Sequence, residues 1–355
     1  MIITKVDKRY RFISKFDTKT GFYIRSNTFD DKNTMTDTEP FMASMPELLD
    51  CGIMNRCKNF QRCKIGCYQG QKQNGANMTF EDFKSIIDEC KGKVFQVALG
   101  GAGSPDEHEE FERFVKYARD NNVVPNYTTS GIGVTDEIAR ITKEYCGAVA
   151  VSWYGESYTL EAIDKFLKAG CTTNIHFVLS KASIDEAIEI LKTNNLPKGI
   201  SAIIFLLHKP VGKGGPENIL GNHARLPEFM KIMAEKHPFK VGFDSCSIPM
   251  ILSNEADVDE VSIDACEGGR FSAYISADMI MSPCSFDRSN KYGVSLKGSS
   301  VHKVWMSKQF DEFRKKLSPC DGCKKSKFCL GKCPIVPEIT VCKVHHCSSS
   351  KEMKA

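Results

Sequence analysis

The chain has 355 residues, a formal net charge of +4 and 16 cysteines. That length can bury a large core and suggests one large domain with a smaller one. The small net charge calls for neither a nucleic-acid nor a membrane partner, and the longest apolar run, residues 203–207, is far too short to span a bilayer. Lys5, Asp7 and Lys8 break the apolar start of the N-terminus, unlike a signal peptide, so a soluble cytoplasmic protein is expected. In a reducing cytosol, so many thiols suggest metal or cluster ligands before a disulfide framework.

Residues 10–16 and 21–25 alternate in polarity around turn residues Asp17 to Gly21, which predicts a β-hairpin extension over 1–45. From Leu48 the pattern alternates strand and helix. Strands are predicted over 48–54, 94–99, 123–129, 148–153, 172–179 and 200–207. Helices are predicted over 80–90 (capped by Thr79), 106–120 and 135–145, then one capped by Thr159 and one over 184–192. Six strands rich in consecutive apolar residues indicate parallel pairing with both faces covered. The class is α/β, a doubly wound sheet or a partial barrel, and in either the strand ends carry the chemistry.

Cys57-Lys-Asn-Phe-Gln-Arg-Cys63-Lys-Ile-Gly-Cys67-Tyr68 follows the first of these strands. Three thiolates in a short loop can hold three irons of a [4Fe–4S] cluster and leave the fourth open to another ligand. A zinc knuckle is the alternative and would need a fourth ligand, such as Cys51. The second strand runs into Gly100-Gly101-Ala102-Gly103-Ser104-Pro105, where backbone can approach a ligand closely. Cys51, Cys90, Cys146 and Cys171 stand singly in apolar surroundings and read as small buried hydrophobes. Near the C-terminus, Cys320, Cys323, Cys329 and Cys333 are spaced C-x2-C-x5-C-x3-C, with Cys266 and Cys284 upstream and Cys342 and Cys347 downstream. Taken alone, the four-cysteine run could be a zinc ribbon.

The triplet followed by an aromatic residue, together with the glycine-rich loop after the second strand, resembles the radical S-adenosylmethionine (SAM) superfamily. The family's common triplet is C-x3-C-x2-C, whereas this chain has C-x5-C-x3-C. The third place after Cys63-x3-Cys67 would fall on Gly70, so Cys57, Cys63 and Cys67 are the expected ligands. The C-terminal cysteines are similar to the SPASM extension, which carries two auxiliary [4Fe–4S] clusters. The usual glycine, separated by four residues from its hairpin cysteine, is replaced by Met279.

The resemblance spans about residues 48–347 and implies a partial (β/α)6 TIM-like barrel over 46–255 and a cysteine-rich cluster domain over 256–355. It implies SAM and three [4Fe–4S] clusters as cofactors. Cys246, Cys266, Cys284 and Cys333 would hold one auxiliary cluster. Cys320, Cys323, Cys329 and Cys347 would hold the other, with Cys342 the rival to Cys347. Gly100, Gly101 and Gly103 fall on the loop that meets the methionine amino group, and Tyr68 falls where an aromatic borders adenine.

Ser152 and Asn174, as strand-end polar groups, could meet the ribose or carboxylate, or simply cap the chain. His208 and Lys209, in a basic turn after the sixth strand, are candidates for SAM or substrate contact, or are a solvated loop. Asp244 is a candidate acid or base, or a turn aspartate. His176 reads as a satisfied core residue, and His345 and His346 as surface.

The activity expected from the resemblance is cleavage of SAM to a 5′-deoxyadenosyl radical, followed by hydrogen abstraction from a peptide or protein side chain, with a flavodoxin- or ferredoxin-type electron donor. Two features weigh against particular branches. The stretch before Leu48 is too short for a winged-helix peptide-binding domain, and Ser285 stands where sulfatase-maturating enzymes place a carboxylate. The alternatives are a dehydrogenase or mutase acting on a small molecule, and a non-enzymatic iron–sulfur or zinc protein.

Overall fold

The structure is a computed structural model and describes residues 1–60, 67–69, 74–254, 258, 263–325 and 327–342. The N-terminal extension is a three-stranded antiparallel sheet, β1 (Ile2–Asp7), β2 (Phe12–Asp17) and β3 (Tyr23–Arg25). The expected hairpin is β2–β3; the Asp17 carboxylate accepts from the Lys19 amide and the Thr20 hydroxyl in its turn. Sequence reading missed β1, because its outward Ile2 and Val6 are apolar and exposed, so no polar face marks the alternation. The inner face carries Phe12 and Phe16, which pack on Phe271 and Phe95. Arg25 fastens the sheet from the side. Its guanidinium reaches Glu47 (3.4 Å), Asp264 (3.3 Å) and Glu267 (2.8 Å) and lies over the Phe271 ring.

Six βα units follow: β4 (Leu48–Met54), α1 (Phe80–Cys90), β5 (Gln96–Gly101), α2 (Phe111–Asp120), β6 (Val124–Thr129), α3 (Asp136–Tyr145), β7 (Val149–Ser152), α4 (Ser157–Lys168), β8 (Thr173–Leu179), α5 (Ile184–Thr193), β9 (Ala202–Leu207) and α6 (Leu226–Met233). All six expected strands are present, parallel and in sequential order, with β10 (Lys240–Phe243) beyond β9 and α7 (Ile248–Ser253) after it. At the other edge β11 (Ser272–Ile275) pairs parallel with β4, then turns back through β12 (Ile280–Ser282) and β13 (Val294–Ser295). The short helices α8 (Val301–Trp305) and α9 (Lys308–Arg314) complete the described elements.

Two helix starts differ from expectation. The stretch predicted as a helix over 106–120 is a 3₁₀ turn at Pro105–Glu107, a break at His108, and then α2. The His108 ring bonds the Met78 carbonyl through Nε2, while Nδ1 takes the Glu110 amide, so the chain is tied down before the helix begins. Thr159 lies inside α4, whose cap residue is Glu156, and its side chain is buried. Thr79 caps α1 as expected, accepting from the Asp82 amide.

The strands have two unlike faces. Val97, Leu99, Tyr127, Ile175, Phe177, Ile203 and Phe205 are buried beneath the helices. Between them Gln96, Ala98 and Gly100, Asn126 and Thr128, Asn174 and His176, and Ile204 and Leu206 face the barrel interior and stay partly exposed. The barrel therefore encloses accessible, largely polar space instead of the packed side-chain layers of a closed eight-stranded barrel.

Candidate active site and thiol clusters

The glycine loop after β5 and the segment leading to Cys57 are pressed together at the barrel mouth. Gly101 has φ +128°, and a Cβ there would strike the Met54 carbonyl, which accepts from the Ala102 amide at 2.7 Å. A Cβ on Gly103 would stand 2.6 Å from the Arg56 carbonyl and 3.5 Å from the Cys57 Cα. Only glycine allows this approach. Gly100 is different: among the described residues nothing lies within 4 Å of where its Cβ would be, so it borders open space.

Cys67 is held from the opposite side. The Lys213 amide donates to the Cys67 carbonyl at 3.0 Å, and Gly212, at φ +67°, crosses the Tyr68 and Cys67 carbonyls too closely for any side chain. The loops after β4, β5 and β9 thus fix Cys57 and Cys67; Cys63 lies outside the described residues.

Tyr68 and Gln69 lead from this loop to the C-terminal hairpin. The Tyr68 ring packs on Phe286 at 4.7 Å between centroids, and Gln69 accepts from Arg288 at 2.6 Å and reaches the Tyr274 hydroxyl at 3.5 Å. Lys209 Nζ stands 4.8 Å from the Phe286 ring centroid and donates to Asp244. The other Asp244 oxygen accepts from the Ser247 hydroxyl at 2.8 Å, so the carboxylate anchors the turn after β10. His208 is buried, with Nε2 against the Gly215 carbonyl at 2.9 Å.

Ser152 ends β7 and is level with His176. His176 contacts the Thr128 hydroxyl at 3.3 Å, and burial pulls its imidazolium down to about 4, so the ring is neutral in the barrel interior. Asn174 is the second residue of β8, far from the mouth, because that strand runs on to Leu179.

Cys246, Cys266, Cys284 and Cys333 come together from four separate stretches. Burial first, and then the neighbouring thiols, push the Cys266 pKa up to about 11 and raise those of Cys246 and Cys284. The Val336 amide donates to the Cys333 sulfur at 3.3 Å, and the amides of Gly268, Phe286 and Gly331 act to lower the pKa values of Cys266, Cys284 and Cys329. Such N–H donors stabilise thiolate, the form burial opposes, and this set suits thiols whose protons a metal displaces. Among the described residues, no three His, Cys, Asp or Glu side chains converge as ligands of a single ion would.

A second group surrounds Cys329. After burial, Cys342 and Cys323 raise its pKa, and the Cys320 sulfur lies 3.7 Å from the place a Gly331 Cβ would occupy. Cys347, His345 and His346 lie outside the described residues. Met279 has φ +63°, the conformation expected of the glycine it replaces. Cys51, Cys90 and Cys171 are buried, as expected, whereas Cys146 is only half-buried and packs against the edge of the core. Sequence reading missed Asp50, Gln69, Tyr274, Phe286 and Arg288; only Asp50, a carboxylate inside an apolar strand, carried a visible signal.

No protein-family model matches the sequence, and no curated protein matches it. Solved structures do match. Streptococcus suis SuiB bound to S-adenosylmethionine superposes with a TM-score of 0.71 at 13% identity, covering 96% of this chain and 97% of that one. SuiB bound to its precursor peptide SuiA gives 0.69 at 13% identity, covering 94% of each. The anSMEcpe protein with bound AdoMet and the Cp18Cys peptide gives 0.57 at 15% identity, covering 80% of this chain and 88% of that one. The fold is the radical SAM fold. The architecture that the resemblance implies, a partial (β/α)6 barrel with a cysteine-rich C-terminal extension, is the one observed. Among the described residues no helix is long and apolar enough to cross a membrane.

Proposed function

We propose that the chain is a radical SAM enzyme whose barrel interior receives a peptide or protein side chain. The observation that carries this is the barrel mouth. A thiol-bearing loop is pinned there between two glycine-bearing loops, and Gly100 leaves open space beside it, above an accessible polar interior. Cys57, Cys63 and Cys67 would hold a [4Fe–4S] cluster with one open iron. That cluster, once reduced, supplies the electron that cleaves SAM to a 5′-deoxyadenosyl radical.

The residues around it position the ligand and exclude water. The Gly100 to Gly103 backbone meets the methionine end of SAM, and the Tyr68–Phe286 pair walls the mouth on the C-terminal side. Cys246, Cys266, Cys284 and Cys333 would hold one auxiliary cluster; Cys320, Cys323 and Cys329 would hold another, with Cys342 or Cys347. The peptide substrate class is favoured by the solved structures of this fold that hold peptides, SuiB with SuiA and anSMEcpe with Cp18Cys. A flavodoxin- or ferredoxin-type protein would deliver the electron, which fits a cytoplasmic enzyme.

The test is anaerobic reconstitution with iron and sulfide, then incubation with SAM and dithionite. Formation of 5′-deoxyadenosine is expected, and its loss when Cys57, Cys63 and Cys67 are all changed to Ala. No 5′-deoxyadenosine from protein holding its full iron would overturn the proposal.

A further inference from the structure

Asp50 sits midway along β4 on the face that looks into the barrel. Its neighbours Leu49 and Cys51 point outward and are 0% exposed, whereas Asp50 is only partly buried. The register sets Ala98 beside it on β5 and Tyr274 on β11. Small residues adjoin it, Gly52 and Gly100 on the mouth side and Ala98 on β5, and across the interior at its level stand the neutral Asn126 and Asn174. Tyr274 leans over Gly52 so closely that a Cβ there would meet its hydroxyl, and Tyr68 is near enough to feel the Asp50 charge. A carboxyl and two phenol rings therefore border the barrel interior on its β4–β11 side.

Among the described residues, no hydrogen bond or ion pair reaches the Asp50 carboxyl. The charged group that acts on it is Glu267, an anion already paired with Arg25, and burial followed by that repulsion pushes the Asp50 pKa up to about 7. Solvent in the open interior still reaches this carboxylate; once a substrate fills that space and displaces the water, a carboxylate without a donor or cation becomes costly unless the substrate itself supplies one. Anionic oxygen beside aromatic rings selects an organic cation.

We propose that Asp50, with Tyr274 and Tyr68, is the binding site for a positively charged group of the substrate, an ammonium or guanidinium inserted into the barrel. This rests on the proposal that the interior receives the substrate; it adds the charge of the group taken there.

The test uses the cluster-loaded protein saturated with SAM, so that the amino group of SAM fills its own place. The probes are the N-acetyl, N-methylamide forms of lysine, arginine and norleucine, followed by ligand-observed saturation-transfer NMR. Lysine or arginine should bind at least tenfold tighter than norleucine. Asp50→Asn should remove that preference and Asp50→Glu should restore most of it, with circular dichroism and cluster absorbance confirming that each variant is folded and loaded. Equal binding of charged and neutral probes, or a preference unchanged in Asp50→Asn, would overturn the inference. So would a preference seen only without SAM, since Asp50 would then serve SAM itself. Wild-type SAM cleavage, measured on the same preparation, reports separately on the proposed enzyme activity.

Discussion

Lys209 and Asp244 form an ion pair between the loop after β9 and the turn after β10, with side chains 6% and 17% exposed. Burial disfavours the Lys209 charge, but Asp244 and the Cys246 thiol more than offset this, and the ammonium pKa is raised. Because that pKa is raised, the stabilisation is present at neutral pH and is lost only as pH climbs past the ordinary lysine range. Lys209→Met should cost about 3–5 kcal/mol in anaerobic urea melts, since it strands a buried carboxylate. Adding Asp244→Leu should recover part of that cost. A single-variant loss below about 1 kcal/mol would show that the pair is energetically idle.

The adjacent glycines of the β5 loop should behave oppositely. Gly101→Ala combines a left-handed backbone with a collision against Met54, so it should destabilise the fold by about 2 kcal/mol or more. Gly100→Ala meets only open space and should fold normally. If that space admits SAM, calorimetric titration should show at least tenfold weaker SAM binding for Gly100→Ala with an unchanged melting temperature.

Lys5 predicts a pH effect. Its Nζ is buried over the Phe95 ring without a hydrogen-bond partner, and burial lowers its pKa to about 7, opposed by Glu47. Between pH 7 and the ordinary lysine value the unfolded chain binds the extra proton, so stability gains from rising pH; below pH 7 the penalty is complete. Lys5→Met should therefore raise the melting temperature more at pH 6 than at pH 9. An equal rise at both pH values would show that the lysine keeps an ordinary pKa.

Metal analysis should separate the thiol groups. With all three clusters filled, iron and acid-labile sulfide should each approach about twelve per chain. Changing Cys266, Cys284 and Cys333 together to Ala should remove about four irons, and changing Cys57, Cys63 and Cys67 should remove a different four. Only the second change should abolish 5′-deoxyadenosine while leaving the brown absorbance of the remaining clusters. One or two zinc ions per chain, without sulfide, would refute the cluster assignment.

What was legible in the sequence follows from how each signal arises. The six parallel strands could be read because apolar runs buried on both faces need no tertiary information. β10 could not: it has four residues, includes Gly242 and follows Pro238, so neither length nor pattern marks it. The start of α2 was misplaced because Asp106 and Glu107 suit a first helical turn, and it is the His108 ring, bonded to Met78 far away in sequence, that holds the chain elsewhere. The thiol sets were proposed from resemblance to a known motif. Their spacing cannot reveal that Cys246 meets Cys266 and Cys284, since those contacts depend on how β10 and β11 join opposite edges of one sheet. Asp50 was passed over as part of an apolar strand, because which face a strand residue occupies is settled only by its neighbours.

The ladder between β11 and β4 makes the C-terminal region continuous with the barrel at its first strand, the same strand that leads into Cys57. An isolated barrel fragment would bare β4 as an unprotected edge, prone to sticking to other chains, and would take away the aromatic wall of its own mouth. Chimaeras that exchange the cysteine-rich tail among proteins of this fold should therefore take β4 and β11 from the same parent; a β4 left to pair with an unmatched β11 would expose its edge and yield inclusion bodies.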